Sequence, residues 1–273
     1  MVGVSNFMSR PSTPFTAVVL AGERSSEDPV AEAAGVSCKA LTPVGGRPMV
    51  LWVLDALEAT QEIGHVVLCG PPRAAIDQEE ELRVRIDSAR IQWVESEATP
   101  SSSTFQVLKS LPDDVPVLVT TADHALLSGR MADFFCSEAR SSGCDLVVGL
   151  ASYQSVKEAY PHTKRTAIHL RDDAYCSCNL FAFLTPQSRD VAHFWRKVER
   201  QRKKTLRVIA AFGWLNLLLY LLKRPSLEEG LGRISQRLGL RAGAVVMPFP
   251  EAAVDVDTVS DWKLVESIVA NRN

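Results

Sequence analysis

Between residues 15 and 150 the sequence alternates two kinds of segment, and this alternation limits the fold more than any other feature. Short apolar-rich runs recur at 15–20 (FTAVVL), 65–69 (HVVLC), 91–94 (IQWV), 115–121 (VPVLVTT) and 146–150 (LVVGL). Between them lie segments with helical signals. Met49, Val50, Val53, Leu54 and Leu57 repeat at helical spacing behind Pro48, which suits a first helical turn. The acidic stretch 77–88 predicts one short solvated helix. Ser101, Ser102 and Ser103 predict an N-cap for a helix through Leu111, and Ser128 predicts one through about Ser142. Strand–helix alternation of this kind predicts an α/β fold: a mostly parallel, Rossmann-like sheet with helices on both faces. Ligands of such sheets bind outside the carboxyl ends of the strands.

Two strand ends carry chemistry. The first run breaks at Ala21-Gly22 into a loop holding Arg24 and Lys39, which closes on Gly45-Gly46-Arg47-Pro48. A buried strand, a glycine and cations together read as a phosphate-binding turn. Solvated loop cations are the plainer alternative. At 21–42 the loop exceeds the usual connection length, which marks it as functional or disordered. The fourth run leads directly into Asp123. A carboxylate there either caps the next helix or binds a cation, because a bare buried charge is costly.

After Ala151 the alternation loosens. Residues 165–170 and 179–184 read as two strands joined by a turn at Arg171-Asp172-Asp173, and Thr185-Pro186 opens a helix running into the basic stretch 196–204. A helix near 227–238, a strand at 244–247, a short strand at 254–257 and a last helix through Val269 follow. Thr258 and Asp261 form a capping box at the start of that last helix. The apolar segment 208–222, with basic flanks over 202–224, predicts a buried helix; its second reading is peripheral contact with a membrane. The formal net charge of -2 gives no general attraction to nucleic acid. Residues 1–14 lack an apolar signal core and read as a flexible lead-in, so a cytoplasmic protein is expected. Cys176 and Cys178, a C-x-C pair with no second half, read as reduced thiols.

Three stretches carry a family resemblance. They are Leu20-Ala21-Gly22-x-Arg24 with the later Lys39-Ala40-Leu41 and Val44-Gly45-Gly46-Arg47-Pro48-Met49, then Asp123 after VLVTTA, then Asp255-Val256-Asp257-Thr258 with Asp261. In that order they resemble the nucleotidyltransferases of the glycosyltransferase-A type, nucleotide-diphospho-sugar transferase-like fold. That group includes sugar-phosphate nucleotidylyltransferases, molybdenum-cofactor guanylyltransferase and the cytidylyltransferases of isoprenoid and inositol-phosphate metabolism.

The resemblance implies a single domain over 15–273. A nucleotide-binding half (15–150) is followed by a smaller acceptor-side lobe (151–250) and a metal-ligand segment with the last helix (251–273). It implies transfer of a nucleoside monophosphate from an NTP, CTP or GTP, to a phosphorylated sugar, polyol or cofactor acceptor, with release of pyrophosphate. Arg24 and Lys39 would neutralise the triphosphate. Leu20, Ala21, Gly22, Glu23, Ser101, Ser102 and Ser103 would hold the nucleotide. Asp123, Asp257 and Asp255 would hold Mg²⁺ or Mn²⁺, and Lys164, Arg165 and Asn179 would face the acceptor. The chain departs from the pattern in three places. Glu23 stands where Gly is usual, 25–38 lengthen the loop, and His124 follows Asp123. A glycosyltransferase using a nucleotide-sugar and a non-catalytic nucleotide sensor are the rival readings.

Overall fold

β1 (Phe15–Leu20) leads through α1 (Pro29–Ala34) and a 3-10 turn at Lys39–Leu41 to the hairpin β2 (Pro43–Val44) and β3 (Arg47–Pro48). α2 (Met49–Glu58) precedes β4 (Ile63–Cys69), and α3 (Arg73–Ile76) and α4 (Glu80–Asp87) precede β5 (Gln92–Val94). α5 (Pro100–Ser110), β6 (Val117–Thr121), α6 (Gly129–Ser141), β7 (Leu146–Ser152) and α7 (Tyr153–Ala159) follow. The hairpin β8 (Ile168–His169) and β9 (Ala174–Phe183) comes next, then α8 (Pro186–Arg189) and α9 (Val191–Glu199). α10 (Leu227–Leu238), β10 (Ala242–Val246), a 3-10 turn at Pro250–Ala253 and α11 (Val259–Ala270) complete the chain. This computed structural model describes residues 13–23, 28–199 and 225–271. Arg24, most of the lead-in and the apolar segment 208–222 lie outside the described residues.

The main sheet has the order β10-β7-β9-β6-β1-β4-β5, with β8 paired to β9. Neighbours are parallel except around β9, which runs antiparallel to β6, β7 and β8. The mostly parallel sheet is thus present. Its apolar runs are continuous because both faces are covered. Phe15, Ala17 and Val19 face Leu54, Leu57 and Phe135. Val18, Val67 and Val119 face Val107, Leu108 and Ala192 on the other side. Burying each large side chain contributes roughly 1.5–3 kcal/mol, so β1, packed on both faces, anchors the sheet.

The short helix expected within 77–88 is present as α4, with α3 just before it. Two local expectations change. The cap of α5 is Thr99, whose side chain accepts from Ser102 N, and Ser101–Ser103 lie inside the helix behind Pro100. Pro needs no N–H donor at that position, which moves the helix start forward. Residues 254–257 form no strand; they run extended behind the 3-10 turn without a ladder partner. The capping box is present, with Thr258 Oγ1 and Asp261 exchanging bonds at the start of α11.

A third apolar cluster brings the C-terminal segment to the sheet. It joins Val30 and Val44 to Leu126, Val254, Val256 and Val265. α11 docks on the small hairpin, with Trp262 Nε1 donating to Pro43 O at 2.6 Å and Gly45 N donating to Glu266 at 3.0 Å. Residues at the end of the sequence therefore lie beside β6.

Candidate active site

β1 lies between β4 and β6, with Leu20 in register with Cys69 on one side and Thr121 on the other. The chain winds from β1 to β4 and β5, then returns to the opposite side of β1 for β6. A crevice opens at such a reversal, at the carboxyl ends of the strands. Backbone bonds carry the ladder past the strand ends: Ala122 N donates to Leu20 O at 2.9 Å, and Val256 N donates to Asp123 O at 3.0 Å. Ala21–Glu23, Asp123 and Asp257 consequently border one cavity of about 160 Å³.

Lys39 enters that cavity from the 3-10 turn. Its Nζ lies 2.6 Å from Asp123 Oδ2 and 3.3 Å from Asp257 Oδ1. Burial disfavours the Lys39 ammonium, but the charges and hydrogen bonds of Asp123 and Asp257 outweigh it and raise its pKa. Burial likewise opposes the Asp123 carboxylate, and Lys39 overcomes this to hold it below the ordinary range. Asp123 Oδ1 and the neighbouring Thr121 Oγ1 are buried with no hydrogen-bond partner. Glu23 and Asp28 add two further carboxyl groups to the lining, so among the described residues acids outnumber the cation. Burial raises the pKa of Glu23, assisted by the Asp28 charge, although a hydrogen bond with the Lys39 backbone opposes it. His124 is 1% exposed and does not line the cavity. Burial pushes its pKa down to about 4 against the pull of Asp123, so it is uncharged at neutral pH.

The glycine after β1 is also required by packing. A Cβ on Gly22 would meet Ser96 Cβ at 2.6 Å, and one on Gly70, at φ +75°, would meet Gly22 N at 2.9 Å. The loops after β1, β4 and β5 interlock there, and only glycine fits. Ser103 lies across this junction, its hydroxyl accepting from Glu97 N at 2.9 Å, and borders a narrow cleft with Gly22 and Glu23. Ser101 is buried beside Thr99, its hydroxyl 3.2 Å from Thr99 Oγ1.

The expected acceptor residues are arranged differently. Arg165 is interior: its NH2 donates to Asp255 O at 2.9 Å and to Asp261 Oδ1 at 2.7 Å, and its NH1 donates to the Asp255 carboxylate. Asn179, at φ +50°, donates from Nδ2 to Asp255 Oδ2 at 2.7 Å. Both oxygens of Asp255 are therefore engaged by side chains, whereas Asp257 meets Lys39. Burial first, then the charges of Asp123 and Asp257, raise the Asp255 pKa to about 6 against the opposing Arg165. Lys164 and His162 are exposed on the same segment. Asp172 sits at the β8–β9 hairpin, accepting from Leu227 N at 3.1 Å. Arg47 turns away from the cavity to pair with Asp55 and Glu81.

With this geometry in view, comparison with known proteins is informative. Residues 17–178 match the MobA-like NTP transferase domain, which is more than half of the chain. The chain belongs to that family. The 2-C-methyl-D-erythritol 4-phosphate cytidylyltransferase of Gloeobacter violaceus is 24% identical over 169 residues, 58% of this chain and 67% of that protein. A hypothetical transferase from Thermus thermophilus superposes with a TM-score of 0.75 at 30% identity, covering 91% of this chain and 99% of its own. The 4-diphosphocytidyl-2C-methyl-D-erythritol synthase of Anaerococcus prevotii has a TM-score of 0.55 at 14% identity, over 95% and 97% of the two chains, and shares the fold.

For an NTP transferase domain, the structure adds one residue that the sequence reading passed over. Asp28 caps α1, its Oδ1 accepting from Val30 N at 2.9 Å and Ala31 N at 3.2 Å, and it borders the cavity. The dipeptide Asp28-Pro29 is a helix-start signal that could have revealed it. The long first loop thus carries a short helix of its own. All six cysteines are free thiols, and Cys176 and Cys178 are buried on β9. Among the described residues no three acids, histidines or cysteines cluster to hold a metal, and no helix is long and apolar enough to cross a membrane.

Proposed function

We propose that this NTP transferase moves a nucleoside monophosphate from CTP or GTP to a phosphorylated small-molecule acceptor, releasing pyrophosphate, with a divalent cation bound. One observation carries the reading: Lys39 stands between Asp123 and Asp257 at the carboxyl ends of β1 and β6. The name of the Gloeobacter relative favours CTP and a polyol phosphate acceptor.

A divalent cation fits the residues present. Asp123 Oδ1 is a hard oxygen donor, buried and unpartnered, and Asp257 presents a second carboxylate 64% exposed. Mg²⁺ takes one or two carboxylates and fills its other positions with water and phosphate, so a pair suffices where a three-ligand cluster is lacking. Asp123 and Asp257 would hold it, and when bound it would neutralise charge on the phosphates. Lys39 then has a choice of anions, the two carboxylates or the phosphates, all within reach of one flexible ammonium. Its raised pKa keeps it charged throughout the working range. Placed on the triphosphate, it stabilises negative charge that builds at the reacting phosphorus and on the leaving pyrophosphate. Arg24, on the same loop, would add a second cation. Ala21, Gly22 and Glu23 offer backbone along the nucleotide, and Ser103 a hydroxyl at the neighbouring cleft. The exposed Lys164 is the remaining candidate for the acceptor phosphate.

The test combines binding and turnover. Each of the four NTPs is titrated with Mg²⁺ in a thermal-shift assay, then incubated with sugar and polyol phosphates while pyrophosphate is followed. A ligand of the native state at a hundred times its dissociation constant adds about 2.7 kcal/mol of stability. CTP or GTP is expected to give the largest shift and the only release. Absence of both signals with every nucleotide overturns the proposal.

A further inference from the structure

We infer that Arg165 is a positioning residue for the Asp257 carboxylate, acting through Asp255 and Asp261; the inference rests on the nucleotidyl-transfer reading above. Asp257 has little of its own to hold it. Its side chain is 64% exposed and meets Lys39 at 3.3 Å. The backbone on either side is fixed far more firmly. Two residues before it, Asp255 receives Arg165 on its carboxylate and on its carbonyl, and Asn179 on its second oxygen. Four residues after it, Asp261 receives the same guanidinium at 2.7 Å and caps α11 through Thr258. Between them Val256 N is tied to Asp123 O. One planar guanidinium thus spans both ends of the stretch that presents Asp257, and it is itself oriented by Nε donating to Thr163 Oγ1 at 3.1 Å.

The guanidinium is 7% exposed and its NH1, NH2 and Nε are all engaged. That leaves it no role as a surface anion receptor. A lysine at this position supplies the charge from one nitrogen and lacks the fixed fork by which NH1, NH2 and Nε reach Asp255, Asp261 and Thr163 at once. The clamp comes from the segment between α7 and β8, the side of the molecule expected to meet the acceptor. The metal-binding half of the site is therefore set by a residue outside the nucleotide-binding half.

The experiment measures Mn²⁺ binding by electron paramagnetic resonance, in CTP and in GTP, for the full-length parent, Arg165→Lys and Asp261→Asn. Nucleotide binding in EDTA and thermal melting are read alongside. Arg165→Lys is expected to bind Mn²⁺ about ten-fold more weakly and to need correspondingly more metal for half-maximal turnover, while nucleotide binding in EDTA stays within two-fold. Asp261→Asn, which leaves one oxygen to serve both Thr258 and Arg165, is expected to shift metal affinity in the same direction and supplies the reading if Arg165→Lys does not fold. Combining Arg165→Lys with Asp257→Asn is expected to weaken metal no further than Asp257→Asn alone. Parental Mn²⁺ affinity in both folded variants overturns the inference, as does an equal loss of metal and of metal-free nucleotide binding. A parent that binds no Mn²⁺ with either nucleotide overturns the functional reading, and this inference with it.

Discussion

Two charged clusters in this molecule differ in balance. Behind the hairpin, Arg47, Arg85 and Arg90 meet Asp55, Glu58 and Glu81, three cations against three carboxylates. In the crevice, Lys39 is the one cation among the described residues that meets Asp123 and Asp257, with Glu23 and Asp28 on the same wall and one Asp123 oxygen unpartnered. The balanced cluster neutralises itself and ties α2 to α4. The unbalanced one is short of positive charge among the described residues, which is the state expected of a site that meets a cation with its substrate. Among the described residues, charge balance, more than burial or the number of pairs, separates the two clusters.

The largest test of that contrast is to remove charge from the crevice. Lys39→Met and Asp123→Asn are each expected to lower turnover by about 10²–10³-fold, the usual loss of a group that stabilises transition-state charge. Steady-state pyrophosphate release measures it, and turnover within ten-fold of the parent in Asp123→Asn would break the contrast.

The pH dependence of stability comes next. His124 has a native pKa near 4, against about 6.5 when unfolded, so the unfolded chain binds the extra proton between those values. Its contribution is present above about 6.5, is lost as pH falls towards 4, and amounts to about 3 kcal/mol. Asp255 acts in the opposite sense. Its native pKa near 6 lies above the unfolded value of about 3.9, so the native state binds the extra proton and stability falls as pH rises through that window. Melting temperature between pH 4 and 6 is therefore expected to be nearly flat. Asp255→Asn should uncover a rise with pH, and His124→Asn a fall. Two unchanged profiles would remove both groups from the account.

A smaller effect is expected in the balanced cluster. Arg85→Met takes one partner from each of Asp55, Glu58 and Glu81, which are partly exposed and keep Arg47 and Arg90, so the loss is about 1–2 kcal/mol by denaturant titration, with turnover unchanged. A fall in turnover beyond the loss of folded protein would show that the two clusters are coupled. Smallest is Thr99→Ala, which removes the cap of α5 at a cost of about 1 kcal/mol, whereas the exposed face of the helix at Gln106→Ala should cost little. Equal effects would mean that the cap lies elsewhere.

What could be read in advance followed from local chemistry. The apolar runs ending at Leu20 and Thr121 locate the strand ends, since strands covered on both faces must be continuously apolar. Ser128 and the Thr258–Asp261 pair locate helix starts, since each cap satisfies backbone donors within three residues. Thr99 shows the margin of that reading: Pro100 fixes the first turn and hands the cap to the residue before the serines. The family's order of motifs then gathered Lys39, Asp123 and Asp257, which the fold brings into contact across 84 and 218 residues of sequence.

The tertiary structure alone decided the fate of the other charges. Arg165 and Asn179 look like surface residues in a loosely patterned region, yet they meet Asp255 across 90 and 76 residues. Arg47 follows a glycine pair and reads as a surface charge, and α2 and α4 supply it with two carboxylates. Gly22 borders the cavity, and packing adds a second demand for glycine there, since a Cβ would meet Ser96. The physical reason is the same in each case. Hydrophobic periodicity and capping are satisfied within a few residues, so the sequence carries them; the partner of a charge is whichever opposite charge packing brings within about 4 Å, and packing is settled only when the whole sheet has closed.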